Sequence, residues 1–207
     1  MKLRSSQDSA FKLQENFLHD PLMAAIKLAR YKFVAKILSK NDKVLDLGCG
    51  NGYGSYFFSK IAKQVTGLDL YADVKKAQNL FNAPNIKFVQ GDIVAPPNVI
   101  AQNRFSAITA IDVIEHFYRG DGENIIEMYS RLLTENGIFI IGTPSKFSQS
   151  YRSKISKENH CYEYEPEELN DICGKFFGRT ILLSMNDEIV HTGFSKLAWF
   201  FFVLCFK

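Results

Sequence analysis

Asp112, Glu115 and His116 stand close together in the run Ala110-Ile111-Asp112-Val113-Ile114-Glu115-His116. An imidazole whose unperturbed pKa lies near neutrality is suited to take a proton from an acceptor group, and a position at a strand end carries it into a ligand crevice. The same three side chains have the chemistry to hold a divalent cation, although ligands this close in the chain need not converge on one point. A second imidazole, His160, lies in Asn159-His160-Cys161-Tyr162-Glu163-Tyr164 and is an alternative base, with Tyr162 and Tyr164 as candidate walls of an acceptor pocket. The competing reading of His116 is structural, its ring N–H orienting a neighbouring loop, and that of the tyrosines is a solvated loop docked on the domain. His19 and His191 have no such context and read as surface residues.

A second constellation lies earlier. Val44-Leu45-Asp46-Leu47 runs into Gly48-Cys49-Gly50-Asn51-Gly52-Tyr53-Gly54, the pattern of a buried strand that ends in a tight turn before a helix. Alternate glycines permit positive φ and remove the Cβ atoms that would hold a flat ligand off the main chain, while the helix offers unpaired N–H groups. A dinucleotide fingerprint starting at Gly48 needs a small residue at position 53, and Tyr53 fails that requirement. Asp46 at the strand end would repel a pyrophosphate and attract an ammonium or a sulfonium. Asp69 closes a second strand-like run, Val65 to Leu70, about 20 residues beyond the glycines, where an acid can accept both hydroxyls of a ribose. Asp92 closes a third run, Ile86 to Ile93, so that three acids at three successive strand ends line one rim of a sheet. The pattern describes a site for a cationic nucleoside.

The segments D-L-G-C-G-N-G-Y-G, G-L-D-L, Q-G-D-I, A-I-D-V-I-E-H and G-T-P, spread over about residues 30 to 145, together resemble the class I S-adenosylmethionine-dependent methyltransferases. The resemblance implies S-adenosylmethionine as cofactor, with Asp69 on the ribose hydroxyls, Leu70 beside it, and Asp92 with Ile93 at the adenine. Asp46, Gly48, Gly50, Tyr53 and Asp112 complete the implied binding set. In this family an N-terminal helix often lids the cofactor, and a pair such as Arg30-Tyr31 can reach its carboxylate; otherwise Arg30 is a solvated helix residue and Tyr31 packs beneath. The stretch 112–116 is similar to quinone-biosynthesis O-methyltransferases, some of which hold a metal there; a divalent metal is allowed by this likeness but not expected. The segment around His160 is similar to one in bacterial methyltransferases of cell-surface glycan and small-metabolite pathways.

The expected function is methyl transfer to a small-molecule or glycan-linked acceptor, at oxygen, with His116 or His160 as base. The alternatives are a quinone- or lipid-type O-methyltransferase, an N-methyltransferase of an amino-sugar, and a non-catalytic protein that retains the cofactor pocket. Gly142-Thr143-Pro144-Ser145 lacks the paired prolines and aromatic residue of amino-methylating enzymes, and no Pro-Cys pair is present for attack on cytosine, which argues against nucleic acid as acceptor. Lys146, Arg152, Lys154 and Lys157 make the segment after Pro144 basic and would favour an anionic acceptor. A nicotinamide oxidoreductase shares the expected sheet and Asp69, but Tyr53 and Asp46 oppose it.

These residues must be positioned by alternating elements. Helices are expected from Pro21, with Asp20 as N-cap and Met23, Ile26, Arg30, Phe33, Val34 and Ile37 at helical spacing, over Ala72 to Phe81 and over Glu123 to Leu133. After the glycine turn Tyr53, Tyr56, Phe57 and Ile61 should mark the core face of a helix. Strands are expected at Ile86 to Gln90, Phe105 to Asp112 and Gly137 to Gly142, and Arg179 to Met185 and Ala198 to Cys205 should pair antiparallel, because only Asn186 to Lys196 lies between them. The fold class is therefore α/β, a Rossmann-like doubly wound, mostly parallel seven-stranded sheet with an antiparallel last strand. The 207 residues suit a single domain, with residues 1–40 as a helical lid and 145–165 as an acceptor-side loop. A net charge of +3 is too mild to imply a nucleic-acid partner. Four cysteines without C-x-x-C spacing read as reduced thiols of a cytoplasmic protein. The absence of an apolar core in residues 1–16 argues against a signal peptide, and the apolar run Leu197 to Phe206 is too short to span a bilayer.

Overall fold

The computed structural model describes residues 13–70, 73–151 and 158–207; Arg152, Lys154 and Lys157 therefore lie outside the described residues. The chain divides into two compact units, one ending at Pro97 and the other beginning at Asn98.

The first unit is built on three parallel strands, β1 (Lys43–Leu47), β2 (Gln64–Asp69) and β3 (Ile86–Gln90), in the order β3-β2-β1. Val44, Leu45, Leu47, Val65 and Leu68 are buried, as near-continuous apolar runs in parallel sheets require. Four helices accompany them among the described residues: α1 (Leu13–His19), α2 (Pro21–Ile37), α3 (Tyr53–Ser59) and α4 (Asp73–Leu80). Helix α2 starts as expected: the Asp20 side chain accepts from the Met23 N–H at 3.0 Å, and Pro21 fills the first turn.

Two helix faces differ from expectation. The buried residues of α2 are Ala24, Ala29, Val34 and Ala35, while Met23 is exposed. Those of α3 are Gly54, Ser55, Phe58 and Ser59, while Ile61 is exposed and Tyr56 and Phe57 are half-buried. Apart from Val34 and Phe58, small side chains make both faces, because they let helices approach closely. A Cβ on Gly54 would sit 3.0 Å from the Tyr31 ring, so α2 and α3 touch there with no room to spare.

The second unit contains α5 (Asn98–Ala101), β4 (Phe105–Ile111), α6 (Arg119–Ser130), β5 (Leu133–Pro144), α7 (Pro166–Gly174), β6 (Arg179–Asn186), β7 (Ile189–His191) and β8 (Phe200–Phe206). Its strand order is β4-β5-β8-β6-β7. Strands β4 and β5 are parallel, and β8 lies antiparallel between β5 and β6, so the apolar C-terminal run is a central strand whose residues Phe200 to Cys205 are all buried. The described strands number eight, not seven. The extra one, β7, forms because Asp187 takes a left-handed φ of 52° and turns the chain back along β6, a conformation that Asp tolerates better than most residues.

Helix α6 starts and stops earlier than expected, and Leu133 opens β5 instead of closing the helix. Gly120 and Gly122 disguised the helix start, and Gly122 is there for packing: a Cβ on it would lie 2.2 Å from the Tyr164 hydroxyl oxygen. Tyr164 is itself fully buried, so it belongs to the core and not to the wall of a pocket. No described helix is long and apolar enough to cross a membrane.

Candidate functional site

In the first unit the chain leaves β1 through Gly48 (φ 63°), Gly50 (φ 50°) and Gly52 (φ 82°), the left-handed geometry that alternate glycines were expected to supply. The Gly50 N–H donates to Oδ2 of Asp69 at 2.9 Å, tying the turn to the end of β2. Asp46 lies beneath the turn, 5% exposed, and its Oδ2 accepts from the Ser55 hydroxyl at 2.6 Å. That bond clamps the end of β1 to the first turn of α3.

The remaining expected binding residues of this unit are spread over the ends of β2 and β3 and over α2 and α3. Asp92 follows β3 and its Oδ1 accepts from the Val94 N–H at 3.0 Å, while Ile93 between them is buried. Leu70, just past β2, is 39% exposed. Tyr53 opens α3 with its ring 5.1 Å from that of Phe81, on which Tyr56 also stacks at 4.6 Å. Arg30 is half-buried on α2, next to Tyr31, whose ring packs on Gly54, Phe57 and Phe58.

In the second unit β4 ends at Asp112, half-buried and held at φ 55° with its N–H donating to the Gly142 carbonyl at 2.9 Å. That strained corner feeds a short 3-10 turn, Ile114–His116. Glu115 on the turn is wholly buried; its Oε2 accepts from the Thr143 hydroxyl at 2.9 Å and its Oε1 has no hydrogen-bond partner among the described residues. Burial pushes the Glu115 carboxyl up to about 7, against the opposing pull of His116. Its backbone carbonyl accepts from the N–H groups of Cys161 (2.8 Å) and Tyr162 (3.1 Å), which docks the segment carrying His160.

Both imidazoles meet there. Nδ1 of His116 lies 3.0 Å from the Asn159 carbonyl and Nδ1 of His160 lies 2.8 Å from Oε1 of Glu163. A carbonyl and a carboxylate only accept, so each Nδ1 is assigned the proton and each Nε2 the lone pair. The rings are 5.3 Å apart, edge to face. One carboxylate oxygen of Glu115 and one ring nitrogen from each histidine lie within 4.8 Å of one another.

His116 and His160 are thus brought together, and Asp112 does not join their group of converging ligand atoms. Sequence reasoning did not single out Thr143 and Glu163, which support Glu115 and His160. Tyr162 donates to Oε1 of Glu168 at 2.9 Å, and Arg119 binds the same oxygen at 2.7 Å. Lys146 is paired with Glu165 at 2.9 Å, so the described part of the basic segment is neutralised by the residue that caps α7.

Residues 38–190 match the family described as "Methyltransferase domain". The ubiquinone biosynthesis O-methyltransferase of Pelagibacter ubique is 27% identical over 127 residues, covering 61% of this chain and 52% of that protein. The protein of the same description from Glaesserella parasuis is 31% identical over 115 residues, covering 53% and 48%. The chain thus spans about half the length of these relatives. Among solved structures, the methyltransferase domain of bacterial CtHen1-C superposes with a TM-score of 0.70 at 20% identity, covering 86% of this chain and 97% of that one. The N-methyltransferase NodS of Bradyrhizobium japonicum, solved with S-adenosyl-L-homocysteine, gives 0.64 at 13% identity, covering 87% and 86%.

The chain belongs to the class I S-adenosylmethionine-dependent methyltransferases and has their Rossmann-like fold. The donor set of the first unit fits that cofactor. Left-handed glycines bare the main chain, and an acid stands at the end of β2, where a ribose would be received.

Proposed function

We propose that this protein transfers the methyl group of S-adenosylmethionine to a hydroxyl of a small-molecule or glycan-linked acceptor. When bound, the cofactor supplies a methyl group on a sulfonium; the C–O bond forms as the C–S bond breaks, and the electron pair stays on a neutral thioether. Such a displacement depends chiefly on in-line positioning in a dry site, and an oxygen acceptor must also lose its proton. Asp69, with Gly48, Gly50, Asp46, Leu70, Asp92 and Ile93, holds the cofactor in this reading, and Arg30, Tyr53 and Asp112 contribute contacts.

The observation that carries the choice of oxygen is the convergence of His116 and His160 on buried Glu115. Each imidazole has its Nδ1 proton anchored by an acceptor, so Nε2 is the basic atom that faces an acceptor hydroxyl in this reading. An amine acceptor has less need of such a group once it is neutral. The O-methyltransferase descriptions of the relatives from Pelagibacter ubique and Glaesserella parasuis support the same choice. A cytoplasmic site of action accords with four free thiols.

Labelled methyl from S-adenosylmethionine, offered with fractionated extract of the source organism, tests the reading. Label in a water-soluble or lipid pool, lost in the His160→Ala variant, is the expected result. Label in protein or nucleic acid, or none despite cofactor binding, overturns it.

A further inference from the structure

We infer that the N-terminal ends of β2 and β3 carry a second binding site, separate from the cofactor residues, for a small soluble phosphorylated ligand. A cleft of about 330 Å³ opens there, lined by Lys63, Gln64, Pro84, Asn85, Ile86 and Lys87. Gln64 opens β2 and Ile86 opens β3, whereas Asp69 closes β2 and Asp92 lies past the end of β3. The length of β2, six residues at about 3.3 Å each, puts the cleft roughly 17 Å from Asp69. A ligand held there therefore takes no part in methyl transfer.

The charge of the cleft selects an anion. Two lysines line it and no acid does. Neither Lys63 nor Lys87 has an ion pair among the described residues. The surrounding sequence keeps carboxylates away: residues 47–68 and 74–91 carry Lys60, Lys63, Lys75, Lys76 and Lys87 and neither Asp nor Glu. Lys60 is turned onto the Tyr56 ring, with Nζ 4.0 Å from its centroid, so Lys63 and Lys87 are the cations left to the cleft. Two like charges brought to one cleft repel each other, and an anion between them replaces that repulsion with attraction. An ammonium serves phosphate as a point charge, without the bidentate geometry that favours arginine.

The walls are held in place before any ligand arrives. Nδ2 of Asn85 donates to the carbonyls of Ser59 (2.8 Å) and Ala62 (3.1 Å), and the Asn85 carbonyl accepts from the Val65 N–H at 2.8 Å. The Ile86 N–H closes a turn on the Ala83 carbonyl at 3.1 Å, and the Gln64 N–H is bound to the Asp42 carbonyl at 3.2 Å. A preformed wall lowers the ordering cost of binding. The Gln64 side chain makes no hydrogen bond among the described residues, so its carboxamide is a donor for a phosphate oxygen. Pro84 and Ile86 offer apolar surface to the carbon skeleton of the ligand. The volume lies at the lower end of the range for small-molecule pockets, about 300–1,000 Å³, which suits a phosphomonoester or a diphosphate.

Titration calorimetry of the full chain with inorganic pyrophosphate, the charged part of such a ligand alone, tests the site. One equivalent should bind, with affinity falling as salt is raised. Lys63→Gln and Lys87→Gln should each weaken binding about tenfold, and the two together roughly 50-fold or more. Lys63→Arg keeps the charge and should retain most of the affinity, while Lys196→Gln, at an exposed lysine of the second unit, should leave it unaltered. Saturating S-adenosylhomocysteine should not change it either, because the cleft and Asp69 stand at opposite ends of β2. Absence of binding, binding that survives the double substitution, or competition with S-adenosylhomocysteine overturns the site. Sedimentation with vesicles of phosphatidylcholine and phosphatidic acid, lost in the double variant and unaccompanied by pyrophosphate binding, would give the cleft to a lipid surface and overturn the soluble ligand.

Discussion

The backbone N–H of Gly50 is bound to the side chain of Asp69 across 2.9 Å, joining the turn after β1 to the end of β2. One acid therefore holds the glycine turn in shape and, in the proposed reading, also receives the ribose. The two duties can be separated by substitution. Asp69→Ala removes both and should weaken S-adenosylhomocysteine binding by about 1–3 kcal/mol through loss of a charge-assisted bond. Asp69→Asn keeps an acceptor for Gly50 and should retain the stability of the folded protein while still losing affinity. Calorimetric titration beside urea unfolding checks this, and unchanged affinity in Asp69→Ala removes Asp69 from the site.

The Tyr164 hydroxyl offers a test of packing. It is buried against Gly122, with no hydrogen-bond partner among the described residues. Gly122→Ala places a methyl group into that oxygen and should cost about 1–3 kcal/mol by overpacking. Tyr164→Phe removes the oxygen and should be neutral or stabilising by about 1 kcal/mol, since an unpaired buried hydroxyl is itself a cost. Combining the two should recover much of the alanine penalty. Urea midpoints of the four proteins decide it, and a large loss in Tyr164→Phe would mean that the hydroxyl is bonded.

Glu168 sets a pH dependence. Burial pushes its carboxyl up, but hydrogen bonds from Arg119 and Tyr162 outweigh this and leave it below the usual carboxylate range. A folded-state pKa below the unfolded one contributes stability that is present above the unfolded value and lost as pH falls through the folded one. Wild-type stability should therefore decline below about pH 4. Glu168→Gln should start lower near neutrality and show a shallower acid decline in urea midpoints measured across that range. A parallel decline in both proteins would show that Glu168 is not responsible.

What was legible in the sequence follows from how local each cause is. The glycine turn, the N-cap at Asp20 and the acids at the ends of β1 and β2 and just past β3 lie in short patterns that the backbone dictates, and the structure has each at that point of the chain. The faces of α2 and α3 were misread because large residues attract attention, whereas Ala24, Ala29, Gly54 and Ser55 decide how closely helices can approach. His116 and His160 were visible singly. Their meeting depends on the Glu115 carbonyl docking the 160–162 segment, a contact of the fold that no spacing encodes. Glu163 sits three residues beyond His160, but outside a helix that spacing predicts no contact, so its pairing with His160 was not legible.

Thr143 provides the last prediction, because it reaches Glu115 from a different strand. Its hydroxyl on β5 is the donor to Oε2 of Glu115, and both side chains are wholly buried. Thr143→Val preserves shape and withdraws that donor, which leaves the carboxylate without a side-chain hydrogen bond among the described residues and should cost about 1–3 kcal/mol. Thr143→Ser should restore most of it. In a Glu115→Gln background the valine change should cost less, with a coupling of about 0.5–3 kcal/mol, because the charge that needed the donor is gone. A double-mutant cycle from urea unfolding measures that coupling. Additive losses would show that Thr143 stabilises β5 for reasons of its own, and that Glu115 is oriented by the 3-10 turn alone.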